Sequence, residues 1–445
     1  MRTLRLGLIL VLLLLAACQV GPPTPQPTVT FPPPPTARPP VETLPPPAGA
    51  GEPAATQKSF LPLLNSSEPA TDEQPPAADE QPVVTEEQPA AAIVLPVYGG
   101  PPLPRAALGV QIHLHREDLD QIVGQLQALG VGWVKVQVSW KLFEPEPGRV
   151  DDALFRELDQ LVSRATSHDI QVLLSVAKAP DWSRATTEMD GPPVDSAAFA
   201  AFMQTLAARY RGNLAAYELW NEPNLQREWM GSPLSAADFV ALLRAGAAGV
   251  RAADPGALVI SGAPATTGIN DGVMAIDDRL FLQGMLAAGV GEVVDGVGVH
   301  PYGWANPPEA TAANPDPAGP THNNHPSFFF ADTLADYRAL LDAAGYAALP
   351  LWATEFGWGS FAGLGGVPPA GAEFMAYVSE EQQAAYTLRA IELAQQLPGI
   401  GPLFLWNLNF APLLGPGFSE AGYSLLGLDG APRPVFLAVQ AIPRQ

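Results

Sequence analysis

The chain has 445 residues, of which 45 are acidic and 23 basic, for a formal net charge of −22, with 50 prolines and one cysteine. So acidic a balance repels phosphate backbones and anionic surfaces, which excludes a nucleic-acid partner and leaves neutral ligands open. A single thiol excludes an internal disulfide and a cysteine-ligated metal centre.

In chain order, Met1–Ala17 carries arginines at positions 2 and 5 and then an apolar run from Leu6 to Ala17. That run is short for a bilayer span and has the shape of a secretory signal. It ends Leu15-Ala16-Ala17-Cys18, which resembles the lipobox of bacterial lipoproteins. The resemblance implies that Cys18 becomes a lipidated first residue. It also implies a protein exported and lipid-anchored to the outer face of a bacterial membrane or cell surface, touching the membrane through the anchor only. A plain signal peptide or an uncleaved anchor is the alternative. Residues 18–104 are rich in Pro, Ala, Thr, Glu and Gln and cannot bury a core, so they are expected to form a disordered linker. At about 3 Å per residue when extended, such a linker reaches on the order of 200 Å.

Residues 105–445 change character. Eight apolar strand-like runs follow one another: Leu108–His113, Trp133–Ser139, Val172–Val176, Ala216–Trp220, Leu258–Ser261, Gly296–His300, Leu351–Thr354 and Leu403–Asn407. Between them lie amphipathic stretches at Ala153–His168, Ser196–Arg211, Ala236–Ala253, Thr333–Ala344 and Glu380–Gln396. Ser235 with Asp238, and Ser379 with the acids after it, mark helix starts; Gly130, Gly212 and Gly345 mark stops. Strand and helix in alternation predict an α/β fold, a (β/α)8 TIM barrel. An open doubly wound sheet is the alternative, but the first run ends His113-Leu114-His115 with no Gly-rich phosphate loop.

Active sites of such barrels lie at the C-terminal strand ends. Glu222 and Glu355 follow the fourth and seventh runs and can therefore face each other across the mouth. Either alone is as readily a capping or ion-paired residue. Together they supply the acid and the nucleophile that cleavage of a sugar acetal needs. On the second run, period-2 alternation sends Lys135, Gln137 and Ser139 into the barrel and the valines outward.

The segments Tyr217-Glu218-Leu219-Trp220-Asn221-Glu222-Pro223-Asn224 and Leu351-Trp352-Ala353-Thr354-Glu355-Phe356-Gly357-Trp358 resemble clan A of the retaining glycoside hydrolases, most nearly family 39 and its cellulase-like relatives. The likeness runs from Ala106 to about Arg444. It implies a carbohydrate substrate, double displacement and no cofactor or metal. Glu222 would be the acid/base, Glu355 the nucleophile, and Asn221 the partner of the sugar 2-hydroxyl. In His300-Pro301-Tyr302 the tyrosine would orient the nucleophile, and Trp406 would floor the cleaved sugar's subsite. Lys135 stands where relatives carry arginine. To act as acid, Glu222 is expected to bind its proton more tightly than Glu355.

Several residues admit two readings. His113 is substrate-facing or a core hydrogen-bonder. Trp140, Trp182, Trp229, Trp304 and Trp358 lie near strand ends as sugar platforms or packing, with Trp182 and Trp358 the better platform candidates. His322 and His325 lack a third ligand of suitable spacing, so no metal site is read. The stretch Gly303–Ser327 is an insertion over the cleft or a loose loop. The chain is read as a monomer, and the competing class is a non-catalytic glycan-binding surface lipoprotein on the same fold.

Overall fold

The computed structural model describes residues 94–114 and 117–445; the signal segment, Cys18 and the proline-rich residues up to 93 lie outside the described residues. Eight parallel strands close into a barrel in chain order: β1 (Leu108–Ile112), β2 (Trp133–Ser139), β3 (Gln171–Ala177), β4 (Ala216–Leu219), β5 (Leu258–Ser261), β6 (Gly296–Val299), β7 (Leu351–Phe356) and β8 (Ile400–Leu405). A helix follows each: α1 (Leu119–Leu129), α2 (Asp152–Ser167), α3 (Ser196–Arg209), α4 (Ala236–Ala253), α5 (Asp278–Ala287), α6 (Phe330–Ala343), α7 (Glu380–Gln396) and α8 (Pro434–Gln440). This is the TIM barrel expected from the alternation.

The helix ends follow local chemistry. Ser235 accepts the Asp238 N–H, and Ser379 and Gln382 form a reciprocal capping box at the start of α7. Asp118 and Asp151 cap α1 and α2 in the same way, satisfying N–H groups that have no partner in the first turn.

Two strands differ from the sequence reading by more than one residue at an end. Strand β8 begins at Ile400 and ends at Leu405, so Trp406 and Asn407 lie just beyond it. Strand β7 continues to Phe356, which places Glu355 on the strand, where the register against β8 shifts between Ala353 and Phe356. Such an irregularity re-aims side chains that strict alternation would point elsewhere.

Inside the barrel, Trp133, Leu173, Ala216, Ile260, Trp352 and Phe404 form a buried apolar floor contributed by six strands. Trp133 meets Trp352 edge to face at 5.2 Å, and Trp352 stacks on Phe404 at 6.3 Å. Two residues further along the strands, the same inward positions carry Lys135, Ser175 and Glu218, all buried. The floor is apolar and the layer above it is polar.

The chain joins this body ahead of residue 105. Leu103 is buried, its N–H donates to the Pro443 carbonyl at 2.8 Å, and it bridges Arg444 in parallel. Before it, the Tyr98 hydroxyl accepts from Gln395 at 2.7 Å and the Gly99 N–H donates to Glu392 at 2.6 Å.

Candidate active site

At the end of β4 the backbone turns sharply. Trp220 (φ 75°) and Glu222 (φ 42°) both occupy the left-handed region, which side-chain-bearing residues adopt only when the surroundings enforce it. Two features enforce it here. Asn224 is buried and clamps the turn, its amide donating to Ala265 and Ile276 carbonyls and its oxygen accepting the Ala265 N–H at 2.7 Å. Gly262 at the end of β5 leaves room for the turn, since a Cβ there would come within 2.5 Å of the Trp220 carbonyl oxygen. Glu222 is thus held at the mouth by its neighbours' packing.

Glu355 faces it from β7. Lys135 Nζ lies 3.2 Å from its Oε1, and the Tyr302 hydroxyl donates to its Oε2 at 2.9 Å. His300, fully buried at the end of β6, stands between the two glutamates, its Nδ1 3.3 Å from Glu222 Oε1 and 3.8 Å from Glu355 Oε2. Those two oxygens can be no further apart than both contacts laid end to end, about 7 Å. A retaining pair is set at about 5–5.5 Å and an inverting pair at about 6.5–9.5 Å, so most of the inverting range is closed to this site.

Electrostatics differ across the pair. Burial pulls the Lys135 ammonium down, but Glu218 at 3.0 Å and Glu355 outweigh it and hold the group above its ordinary range, so Lys135 stays charged. Burial and the charge of Glu355 push the Tyr302 hydroxyl well up, so it remains a donor. Glu222 departs from expectation. Burial pushes its carboxyl up, but the hydrogen bond from His300 and the charge of Arg227, whose Nη2 donates to Oε2 at 2.7 Å, outweigh it and bring the group down to about 2. The reason is His300 first and then Arg227, a cation that the sequence reading did not place at the site.

The six residues Glu222, Glu355, Lys135, His300, Tyr302 and Asn221 therefore stand together at the C-terminal mouth or within reach of it. Asn221 keeps its Oδ1 buried and without a hydrogen-bond partner among the described residues. Trp406, half-buried, meets Tyr302 at 6.2 Å and Tyr423 at 5.1 Å, which forms an aromatic wall beside Glu355.

Other candidates lie elsewhere. Trp358 is 1% exposed, donates its Nε1 to Asn306 and packs against Phe330 and Tyr386, so it cannot receive a sugar face. Trp140 and Trp229 are likewise buried packing. Trp182 is 37% exposed, stands perpendicular to Trp140 and donates its Nε1 to the Glu144 carbonyl at 3.0 Å. His113 engages Glu117 and Asn409 at 3.0 Å and Phe410 edge to face, tying the end of β1 to the segment after β8. It is the core hydrogen-bonder of the two readings. Gly303–Ser327 folds onto an aromatic cluster in which Trp304 stacks on His322 and both meet Phe328 and Phe374.

Sequence reasoning missed Glu218, Arg227 and Tyr423. A signal existed for Glu218, since an acid on the inward face of a barrel strand requires a cation and Lys135 occupies the corresponding face of β2. Arg227, in an aperiodic turn, carries no such mark.

The chain matches the family model described as Cellulase (glycosyl hydrolase family 5) over residues 104–409. Among solved structures, a family 39 glycoside hydrolase from the gut symbiont Bacteroides cellulosilyticus WH2 superposes with a TM-score of 0.58 at 20% identity, covering 77% of this chain and 64% of that one. A glucosidase from Croceicoccus marinus gives 0.54 at 16%, covering 77% and 69%. A GH5_18 protein from Bifidobacterium longum subsp. infantis gives 0.53 at 16%, covering 77% and 79%. The chain thus spans less than two thirds of the first of these, and at these identities the likeness is one of fold. No curated protein matches the chain.

Proposed function

The chain belongs to the cellulase family, glycosyl hydrolase family 5, and we propose that it hydrolyses O-glycosidic bonds of a poly- or oligosaccharide by double displacement, with Glu355 as nucleophile and Glu222 as acid/base. The observation that supports this most directly is the pair of carboxylates reaching one imidazole, His300, at the mouth of the barrel. In the first step a Glu355 oxygen bonds to the anomeric carbon, the bond to the leaving oxygen breaks, and the Glu222 proton passes to that oxygen. In the second, Glu222 takes a proton from water, the resulting hydroxide bonds to the anomeric carbon, and Glu355 leaves as a carboxylate. Lys135 and Tyr302 hold opposite oxygens of Glu355 and so fix which lone pair faces the sugar. Carbohydrate is the partner in this reading, with Asn221 on the 2-hydroxyl and Trp406 beneath the ring.

Removal of each glutamate tests the roles. Glu355→Ala should be inactive on every substrate. Glu222→Ala should keep its first step on aryl glycosides with very acidic phenols, accumulate glycosyl enzyme, and form glycosyl azide when azide is added, because azide needs no base. Equal loss on acidic and poor leaving groups, with no azide product, refutes the assignment. An inverted anomer as the first product seen by NMR refutes retention. The Arg227 contact that keeps Glu222 ionised favours a second reading, a glycan-binding protein without turnover; the wild type would then release no phenol from any aryl glycoside.

The N-terminal reading is part of the proposal. Leu15-Ala16-Ala17-Cys18 supports export and lipid attachment at Cys18, with residues 18–93 as a tether.

A further inference from the structure

Glu222 cannot donate a proton while His300 and Arg227 together hold it ionised, and the turn that carries Arg227 offers the guanidinium a second partner. Arg227 lies on the short turn Gln226–Glu228, whose backbone is pinned on both sides. The Leu225 N–H donates to Glu222, the Gln226 N–H to Met274, and the Trp229 N–H to Gln226; the Trp220 indole donates to the Glu228 carbonyl. Only side-chain torsions are left to move. Arg227 spends Nη2 on Glu222, while its Nε is buried and has no hydrogen-bond partner among the described residues. The next residue, Glu228, is buried and has its Oε2 in the same condition. A buried donor and a buried acceptor stand unmatched on adjacent residues, and mutual contact would remove the cost of leaving both unpaired.

The neighbours do not already satisfy Glu228. From the end of β3 and its loop, Lys178 is committed to Asp190 at 3.4 Å and Arg184 to the carbonyls of Met189 and Met230, and from the short helix after β2 Lys141 is committed to Asp190 at 2.7 Å. From β6, His300 is on Glu222, and from the turn Ser419–Tyr423, Glu420 adds a further acid to the field of Arg227. Burial, opposed by Lys178 and Arg227, leaves Glu228 at about 7, so near neutrality the proton that Glu222 lacks resides next door.

We infer that Arg227 changes partner during turnover, leaving Glu222 for Glu228 when Glu222 takes up the proton it will donate. The inference rests on Glu222 being the acid/base. An O–H bond on Glu228 breaks and one on Glu222 forms, the proton crossing through cleft solvent. The guanidinium follows the negative charge, so the net charge of the site does not change. Glu228 and Arg227 are positioning residues: they touch no substrate and act through Glu222.

The test is the pH dependence of kcat/KM in the full chain on two aryl glycosides, one with a very acidic phenol and one with a poor leaving group. Glu228→Gln keeps the shape and removes the alternative charge. It should move the basic limb for the poor leaving group down by about one pH unit and lower kcat/KM about tenfold, leaving the acidic phenol within about twofold. Arg227→Gln approaches from the other side and should move that limb up. A limb that stays in place in either variant, or an equal loss on both substrates, overturns the inference. Glu222→Ala run alongside tells the two failures apart. If it shows leaving-group dependence while the limbs stay put, the switch alone is wrong. If it shows none, the acid/base reading fails and the switch with it.

Discussion

Replacing Lys135 by methionine keeps the length and packing of the side chain and deletes its charge, so the loss it causes is electrostatic. The ammonium lies 3.0 Å from Glu218, 3.2 Å from Glu355 and 3.0 Å from the Thr354 carbonyl, all inside the barrel. Its removal leaves two carboxylates facing each other above an apolar floor. Breaking a buried ion pair from one side costs about 3–5 kcal/mol. A loss of roughly 3 kcal/mol at an m-value near 3 kcal/mol/M moves the urea midpoint by about 1 M. A buried carboxyl can relieve its own repulsion by taking up a proton, an escape open only at low pH. The deficit relative to wild type should therefore be largest near pH 8 and shrink near pH 5. Activity should fall as well, because Glu355 has lost the cation that holds its Oε1. Urea unfolding followed by fluorescence at both pH values measures the first effect and a kcat/KM profile the second. An unchanged midpoint at pH 8, or the same loss at both pH values, would refute the argument that Lys135 is held by these two acids.

Tyr302→Phe removes the hydroxyl that donates to Glu355 at 2.9 Å; a charge-assisted bond of about 1.5–3 kcal/mol predicts a fall in kcat/KM of about 10- to 100-fold, and a change under twofold counts against it. Metabolic labelling with palmitate should mark the wild type and not Cys18→Ser, and an unlabelled wild type would end the lipoprotein reading.

The barrel was legible because its physics is periodic: inward and outward faces alternate along every strand, and glycines and capping residues punctuate the helices. Three helices, α1, α5 and α8, were given no bounds beside longer amphipathic stretches, although Gly130 marked the stop of the first. The end of β8 was misplaced because Phe404-Leu405-Trp406 is apolar throughout, and composition does not say where hydrogen bonding stops. At the site, Glu222, Glu355, His300, Tyr302 and Lys135 could be read because motif and alternation each name a position and a direction. Trp358 could not, because an indole near a strand end has the same sequence signature whether its face meets solvent or Phe330. The proton affinity of Glu222 was likewise out of reach. It depends on His300 and on Arg227, the latter five residues on in a turn, and no periodicity tells which way a turn residue points.

The seam of the barrel joins Leu108 to Leu403 and Val110 to Leu405, segments roughly 300 residues apart along the chain. During synthesis β1 can therefore find β2 early, but its other edge, with N–H and C=O groups unpaired, waits for β8. At a translation rate of about 5–20 residues per second the wait is roughly 15–60 s, during which a growing, twisted sheet offers an open edge to any other extended segment. The apolar floor waits as well, since Phe404 completes it. A translational pause within this span, useful in proteins whose early segments fold alone, would here lengthen the exposure. The first strand of this barrel is secured by the last.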